Sequence, residues 1–168
     1  MAIQAHAPHV ANGNPGSPPT EPEDYAALNA VFGAVLAGVV LASRERARQD
    51  DPLSTRDLLT SGVAAFALSK VVARERIGTW VREPFVEEAP GGGRQPRGTR
   101  LRHAMGELLT CTRCVGAWSA LGLVGIRLTS PAAGRVVNDV LAVSAMNDWM
   151  QAGFKLLCEK TNEVSARG

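Results

Sequence analysis

Cys111 and Cys114 stand as Cys-x-x-Cys in the run AMGELLTCTRCVGAW (104–118), one turn before Trp118. Two thiols at i and i+3 of a continuous helix share a face, so the pair can do two kinds of chemistry. It can open and close as a dithiol–disulfide couple, or it can offer two thiolates to zinc or another soft metal. A metal needs further ligands, and His103 and Cys158 are the candidates, because both are expected at the same side of the bundle. A reducing cytosol argues against a standing disulfide. Without chemistry, the two small, polarizable side chains simply pack in a tight helix interface.

The charged residues inside apolar runs are the second group of candidates. Glu107 and Arg113 flank the cysteine pair, and Asn147 and Asp148 interrupt a later apolar run. A carboxylate near the middle of a bilayer costs about 2.5–3.5 kcal/mol on insertion scales, so it seeks a partner or a wet cavity. Arg113 could pair with Glu107 or Asp148, and Arg82 could reach Glu107. Such contacts hold helices together, or, at Asp148, serve a proton or substrate. Trp80 lies beside an Arg-rich stretch and reads as an interface anchor, whereas Trp118 and Trp149 read as packing residues.

The elements that must position these residues are blocks of apolar sequence. The chain has 168 residues, a formal charge of +2 and only 5 % aromatic residues. Its mean hydropathy of −0.02 is that of a soluble protein, but its polar residues are concentrated in 1–24, 44–56 and 74–103. Ala, Gly, Val and Leu dominate elsewhere, and small residues allow close helix packing in lipid. The pattern predicts an all-α fold, a small polytopic membrane bundle with four spans at 25–43, 57–73, 104–128 and 134–157. Residues 1–24, with His6 and His9, read as a disordered Pro/Gly-rich tail, and 159–168 as a short C-terminal tail. Tyr25–Ser43 carries no charge over 19 residues and reaches roughly 28 Å as a helix. Thr55 or Asp57 is placed to cap the second helix. The fourth helix is too polar to face lipid all round, so its polar stripe should turn inward. Gly91-Gly92-Gly93, with Pro90 and Pro96, reads as a flexible insert in the loop 74–103.

Lys and Arg counts orient such a bundle. Arg74, Arg76, Arg82, Arg94, Arg97, Arg100, Arg102, Lys155, Lys160 and Arg167 fall on one side, and Arg44, Arg46, Arg48, Arg56, Arg127 and Arg135 on the other. This excess places both termini in the cytoplasm. The first span disagrees locally, with an acidic entry and a basic exit, a conflict that vanishes if the second segment does not cross and three spans remain. Residues 74–85 mix Arg with Ile77, Trp80, Val81 and Phe85, which suits a piece lying on the anionic cytoplasmic leaflet. The small net charge and interleaved glutamates exclude a strong nucleic-acid field.

The segments ALSKVVARERIGTWVREPF (67–85) and GELLTCTRCVGAW (106–118) together resemble the bacterial membrane family known as domain of unknown function 1360. Arg82, Pro84, Phe85, Glu107, Cys111, Cys114, Gly116 and Trp118 occupy its motif positions, and the resemblance covers roughly 57–152. It implies a bacterial inner-membrane, multi-pass protein with a crossing second segment, and it implies no activity. The reading of function is a non-enzymatic scaffold or partner-interaction protein, engaging another membrane protein or forming a homo-oligomer. A thiol-redox or metal-binding protein using Cys111 and Cys114 is the alternative, and a small transporter-like subunit the third.

Overall fold

Pro22 and the acidic Glu23 and Asp24 open the first helix, α1 (Pro22–Ala47), where negative charge suits the helix dipole. This is the first element of a computed structural model that describes residues 20–47, 53–88 and 93–167. The greater part of the expected tail, with His6 and His9, lies outside the described residues, as do Arg48 of the first connection and Pro90, Gly91 and Gly92 of the insert. The remaining helices are α2 (Thr55–Ala73), α3 (Thr79–Arg82), α4 (Leu101–Thr110), α5 (Thr112–Thr129) and α6 (Pro131–Arg167). A 3-10 turn, Arg76–Gly78, precedes α3, and a two-stranded antiparallel ribbon joins β1 (Val86–Glu88) to β2 (Arg94–Pro96). The architecture is therefore helical as expected, with a small ribbon where the sequence suggested a flexible insert.

Ser54 caps α2, rather than Thr55 or Asp57. Its Oγ accepts from the Asp57 N–H at 3.1 Å, and Asp57 Oδ2 accepts from the Ser54 N–H at 3.1 Å. This reciprocal box satisfies two otherwise orphan donors. Side-chain contacts give the helix directions. Asp57 meets Arg127, and Ser69 lies beside Gly116, so α2 and α5 run antiparallel. Asn138 meets Ser61, and Asp148 meets Lys70, so α6 runs parallel to α2. Phe32 packs on Trp118 and Val39 lies at Gly125, so α1 runs parallel to α5. The result is an up-down-up-down bundle, with loop 74–100 and α4 closing one end.

The interior of this bundle is small and partly polar. On α2 the buried residues are Ser61, Ala64, Ala65, Ala67, Ser69 and Ala73, while Leu58, Leu59 and Phe66 are exposed. On α6, Ala145 and Asn138 are buried, and Val136, Val140, Val143 and Met150 face outward. Among the described residues one helix, α1, is long and apolar enough over Pro22–Arg44 to cross a membrane. The pair α4 and α5 is a second if its halves are taken as one span.

That pair corrects the expected continuous helix over 104–128. The chain bends by 88° between α4 and α5. Cys111 adopts an extended conformation (φ −91°, ψ 105°) and is at once the C-cap of α4 and the N-cap of α5. Thr110 Oγ1 donates back to Gly106 O at 3.1 Å and Glu107 O at 3.0 Å, competing with helix continuation. Gly106 lies against the 74–100 loop, where an added Cβ would stand 2.5 Å from Phe85 O and 2.8 Å from the Pro96 side chain. Only glycine lets α4 approach so closely.

Candidate functional site

At the bend, the new N-terminus of α5 needs hydrogen-bond acceptors, and the thiol of Cys111 supplies one. Cys111 Sγ accepts from the Cys114 N–H at 3.3 Å, and the Cys114 Sγ lies 2.8 Å away with its thiol directed at it. The thiol hydrogen bond, then the Cys114 and Arg113 backbone N–H groups and the Arg113 charge, pull the Cys111 pKa below that of an ordinary thiol. Cys111 is half-buried and Cys114 is exposed. The pair is thus brought together, but by a helix N-cap, not by two turns of one continuous helix.

The pair opens on a cleft of about 420 Å³. Leu28, Phe32, Ala117 and Trp118 line its apolar wall. Phe32 and Trp118 meet edge to face with ring centroids 5.1 Å apart, a favoured aromatic geometry. At the other end the Tyr25 hydroxyl donates a short hydrogen bond to Glu107 Oε2. Glu107 therefore borders the cleft from α4, tied to α1, and neither Arg82 nor Arg113 reaches it as expected. Arg113 is exposed beside Cys111. The sequence did not single out Tyr25 or Phe32 for this site. Nothing in a lone apolar helix says which of its faces meets a neighbour.

Arg100 anchors the same wall. It holds a positive φ of 58° at the N-cap of α4, a costly conformation for a side-chain-bearing residue. Its guanidinium engages Glu21, Glu23 at 3.7 Å and Asp24 at 3.4 Å, fastening the start of α1 to the start of α4.

The other predicted residues are scattered. His103 contacts Gly98 O at 3.2 Å and Glu107 Oε1 at 3.8 Å, and Cys158 is exposed on the projecting half of α6. The candidate set of three cysteines and one histidine is not brought together, and among the described residues no three His, Cys, Asp or Glu side chains gather as metal ligands. Asp148 accepts from Lys70 Nζ at 2.9 Å, and Lys70 also reaches Glu75 at 3.3 Å. Asn147, expected to turn inward beside Asp148, is exposed on the opposite side of α6. Trp149 packs at 5.7 Å from Phe66.

The motif residues of the loop build its corner. Arg82 is only 2 % exposed. It donates to Val72 O by a short bond, to Glu75 O at 3.0 Å and to Thr79 Oγ1 at 3.3 Å. Burial lowers its pKa. Arg94 donates to Ala73 O at 2.7 Å and Arg74 O at 2.9 Å, and Arg102 to Pro84 O at 2.8 Å. Three arginines of the supposed lipid-facing loop are therefore carbonyl caps, two of them at the C-terminus of α2. Phe85 O accepts from the Arg97 N–H at 2.7 Å, tying the corner to β2. Gly116 lies beside Ser69, where a Cβ would stand 3.9 Å away, an ordinary contact. Packing does not explain the glycine there.

The chain matches the family described as protein of unknown function (DUF1360) over residues 60–154, more than half its length, and belongs to it. No curated protein and no solved structure matches. The matched region holds the cysteine pair, the Arg82 corner and α4, whereas α1, which supplies one wall of the cleft, lies outside it.

Proposed function

From that family membership and the geometry of the bend, we propose that this chain is a four-span membrane protein whose Cys111–Cys114 pair performs thiol–disulfide exchange. The observation that carries the chemistry is the arrangement at the α5 N-cap. A half-buried thiol with a lowered pKa sits against a second thiol at the mouth of a cleft. Cys111 is the nucleophile, because the thiolate is the reactive form and a helix N-terminus favours it. Its thiolate attacks one sulfur of a substrate disulfide and releases the other as a thiolate. Cys114 then loses its proton, attacks the mixed disulfide and forms the Cys111–Cys114 bridge, releasing the second substrate thiolate. The substrate disulfide is reduced by two electrons and the pair is oxidised by two.

Three observations support the membrane setting. On α2 and α6, small and polar residues line the inside while Leu, Val, Phe and Met face outward, the reverse of helices in a water-soluble bundle. Polar groups of α2 pair with partners on α5 and α6, Asp57 with Arg127, Ser61 with Asn138 and Lys70 with Asp148. These residues depress the average hydropathy of α2 and α6, which still present apolar faces. α1 is fastened to α4 and α5 through Arg100, Tyr25 and Phe32, which supports a structural span and not a removable leader. The spans are α1, α2, α5 and the first part of α6, with both termini cytoplasmic. Arg74, Arg76, Ile77 and Trp80 are among the exposed residues of the loop and form its contact with the anionic leaflet.

The two-cysteine donor set favours exchange over a zinc site, which takes four ligands. The scaffold reading keeps one support, the bare apolar face of α6.

The test is trapping with oxidised glutathione in membranes. Cys114→Ala accumulates a Cys111–glutathione mixed disulfide that cannot resolve, and Cys111→Ala does not. Equal adduct levels in the two variants overturn the assignment of roles. No adduct in either overturns the exchange activity.

A further inference from the structure

Along α6, nine residues recur at alternating steps of four and three: Val136, Val140, Val143, Asn147, Met150, Phe154, Leu157, Thr161 and Val164. The seven apolar members are each between 63 and 72 % exposed. They form one stripe on the side of the helix opposite Gly134, Asn138 and Ala145, which face α2 and α5. An ordinary helix drifts about 20° per heptad, so a strict seven-residue period over four heptads belongs to a helix supercoiled on another helix.

We infer that this stripe is the seam of a parallel, two-stranded coiled coil formed with a second copy of the same chain. Helix α6 has 37 residues and extends about 55 Å, against a hydrocarbon thickness of about 30 Å. Lipid can cover the seam over its first half. It cannot cover Val164, where the surrounding residues are Lys155, Glu159, Lys160 and Glu163, paired along the helix. A seam that keeps its register from the bundle into this charged segment has one cover that suits its whole length, a helix with the same period. The same chain supplies that helix, and insertion in one membrane orientation makes the two copies parallel. Asn147 takes an a position in this register, with Val143, Met150, Leu157 and Val164 at d. A single a-position Asn specifies in-register dimers, and it gives this outward-facing amide a partner in its counterpart. The seam does not draw on the dithiol reading.

The test is oxidative cross-linking of the full chain in membranes, with the three native cysteines replaced by Ser. In the predicted register, Leu157→Cys and Val164→Cys are d positions and join two chains, while Glu159→Cys, on the far side, stays monomeric. Adding Phe154→Glu to Val164→Cys should lower the dimer yield at least tenfold without reducing the amount of inserted chain. Cross-linking of Val164→Cys no greater than that of Glu159→Cys overturns the inference. So does a product at a mass other than twice the chain. Labelling of both d positions by a lipid-soluble reagent, without dimer, gives the seam to the bilayer instead.

Discussion

Cys111 does two jobs that bear on one another. Its sulfur caps α5, and the same contacts favour its thiolate. The thiolate is present above the pKa and lost as pH falls through it, so a lowered pKa extends reactivity to lower pH. Removing the hydrogen-bonding thiol in Cys114→Ala should move the pH midpoint of Cys111 alkylation upward. Iodoacetamide labelling across a pH series, read by mass spectrometry, checks this. Arg82 is the other residue whose chemistry is local. Its buried guanidinium satisfies Val72 O and Glu75 O, and Arg82→Met should cost roughly 2–3 kcal/mol by leaving buried carbonyls unpaired. Arg82→Lys should recover little of this, since one ammonium cannot span the fork. Thermal unfolding in detergent reports both. Sequence showed that Arg82 belonged to a motif, but not that it pointed inward. Burial of a long cation depends on which carbonyls the fold leaves open, and those appear only once α2 ends against the corner.

At the scale of elements, the bend between α4 and α5 is the decisive feature. Hydropathy alone runs without a break through 104–128, so the segment reads as a single span. The break rests on Thr110 and Thr112 around Cys111, which are weak helix formers, and on α4 being held by Gly106 and Arg102 against the corner. The tertiary contact outweighs the local apolar pattern. Gly106→Ala should drive α4 off Phe85 and Pro96, costing about 1–3 kcal/mol of overpacking, and should change Cys111 alkylation without touching either thiol. Between α2 and α5, Asp57 and Arg127 close at 3.1 Å with Arg127 buried and Asp57 partly exposed. Asp57→Asn should cost about 2–3 kcal/mol, below the 3–5 of a fully buried pair. The double variant with Arg127→Met should cost less than the sum of the single changes, as a double-mutant cycle of thermal stabilities would show.

At the scale of the molecule, what could be read in advance was the number, order and alternating direction of the long helices. Blocks of apolar residues between polar ones carry that information without any knowledge of packing. The facing of polar residues was half legible. Asp148 turns inward to Lys70, whereas its neighbour Asn147 turns out, because adjacent residues on a helix differ by about 100°. The heptad period of α6 was present in the letters, yet its meaning depended on knowing which face the bundle already used. The metal set of Cys111, Cys114, His103 and Cys158 failed for the same reason. Shared membrane side is a much weaker constraint than shared helix face. The proposed function places a dithiol in a bundle held in lipid. The most direct measurement equilibrates membranes containing the chain in stepped glutathione redox buffers, then counts tagged thiols at each cysteine. Cys111 and Cys114 should oxidise together in a single two-electron transition while Cys158 stays reduced and the chain stays in the membrane pellet. Independent oxidation of the two, or a pair that remains reduced across the series, would contradict it.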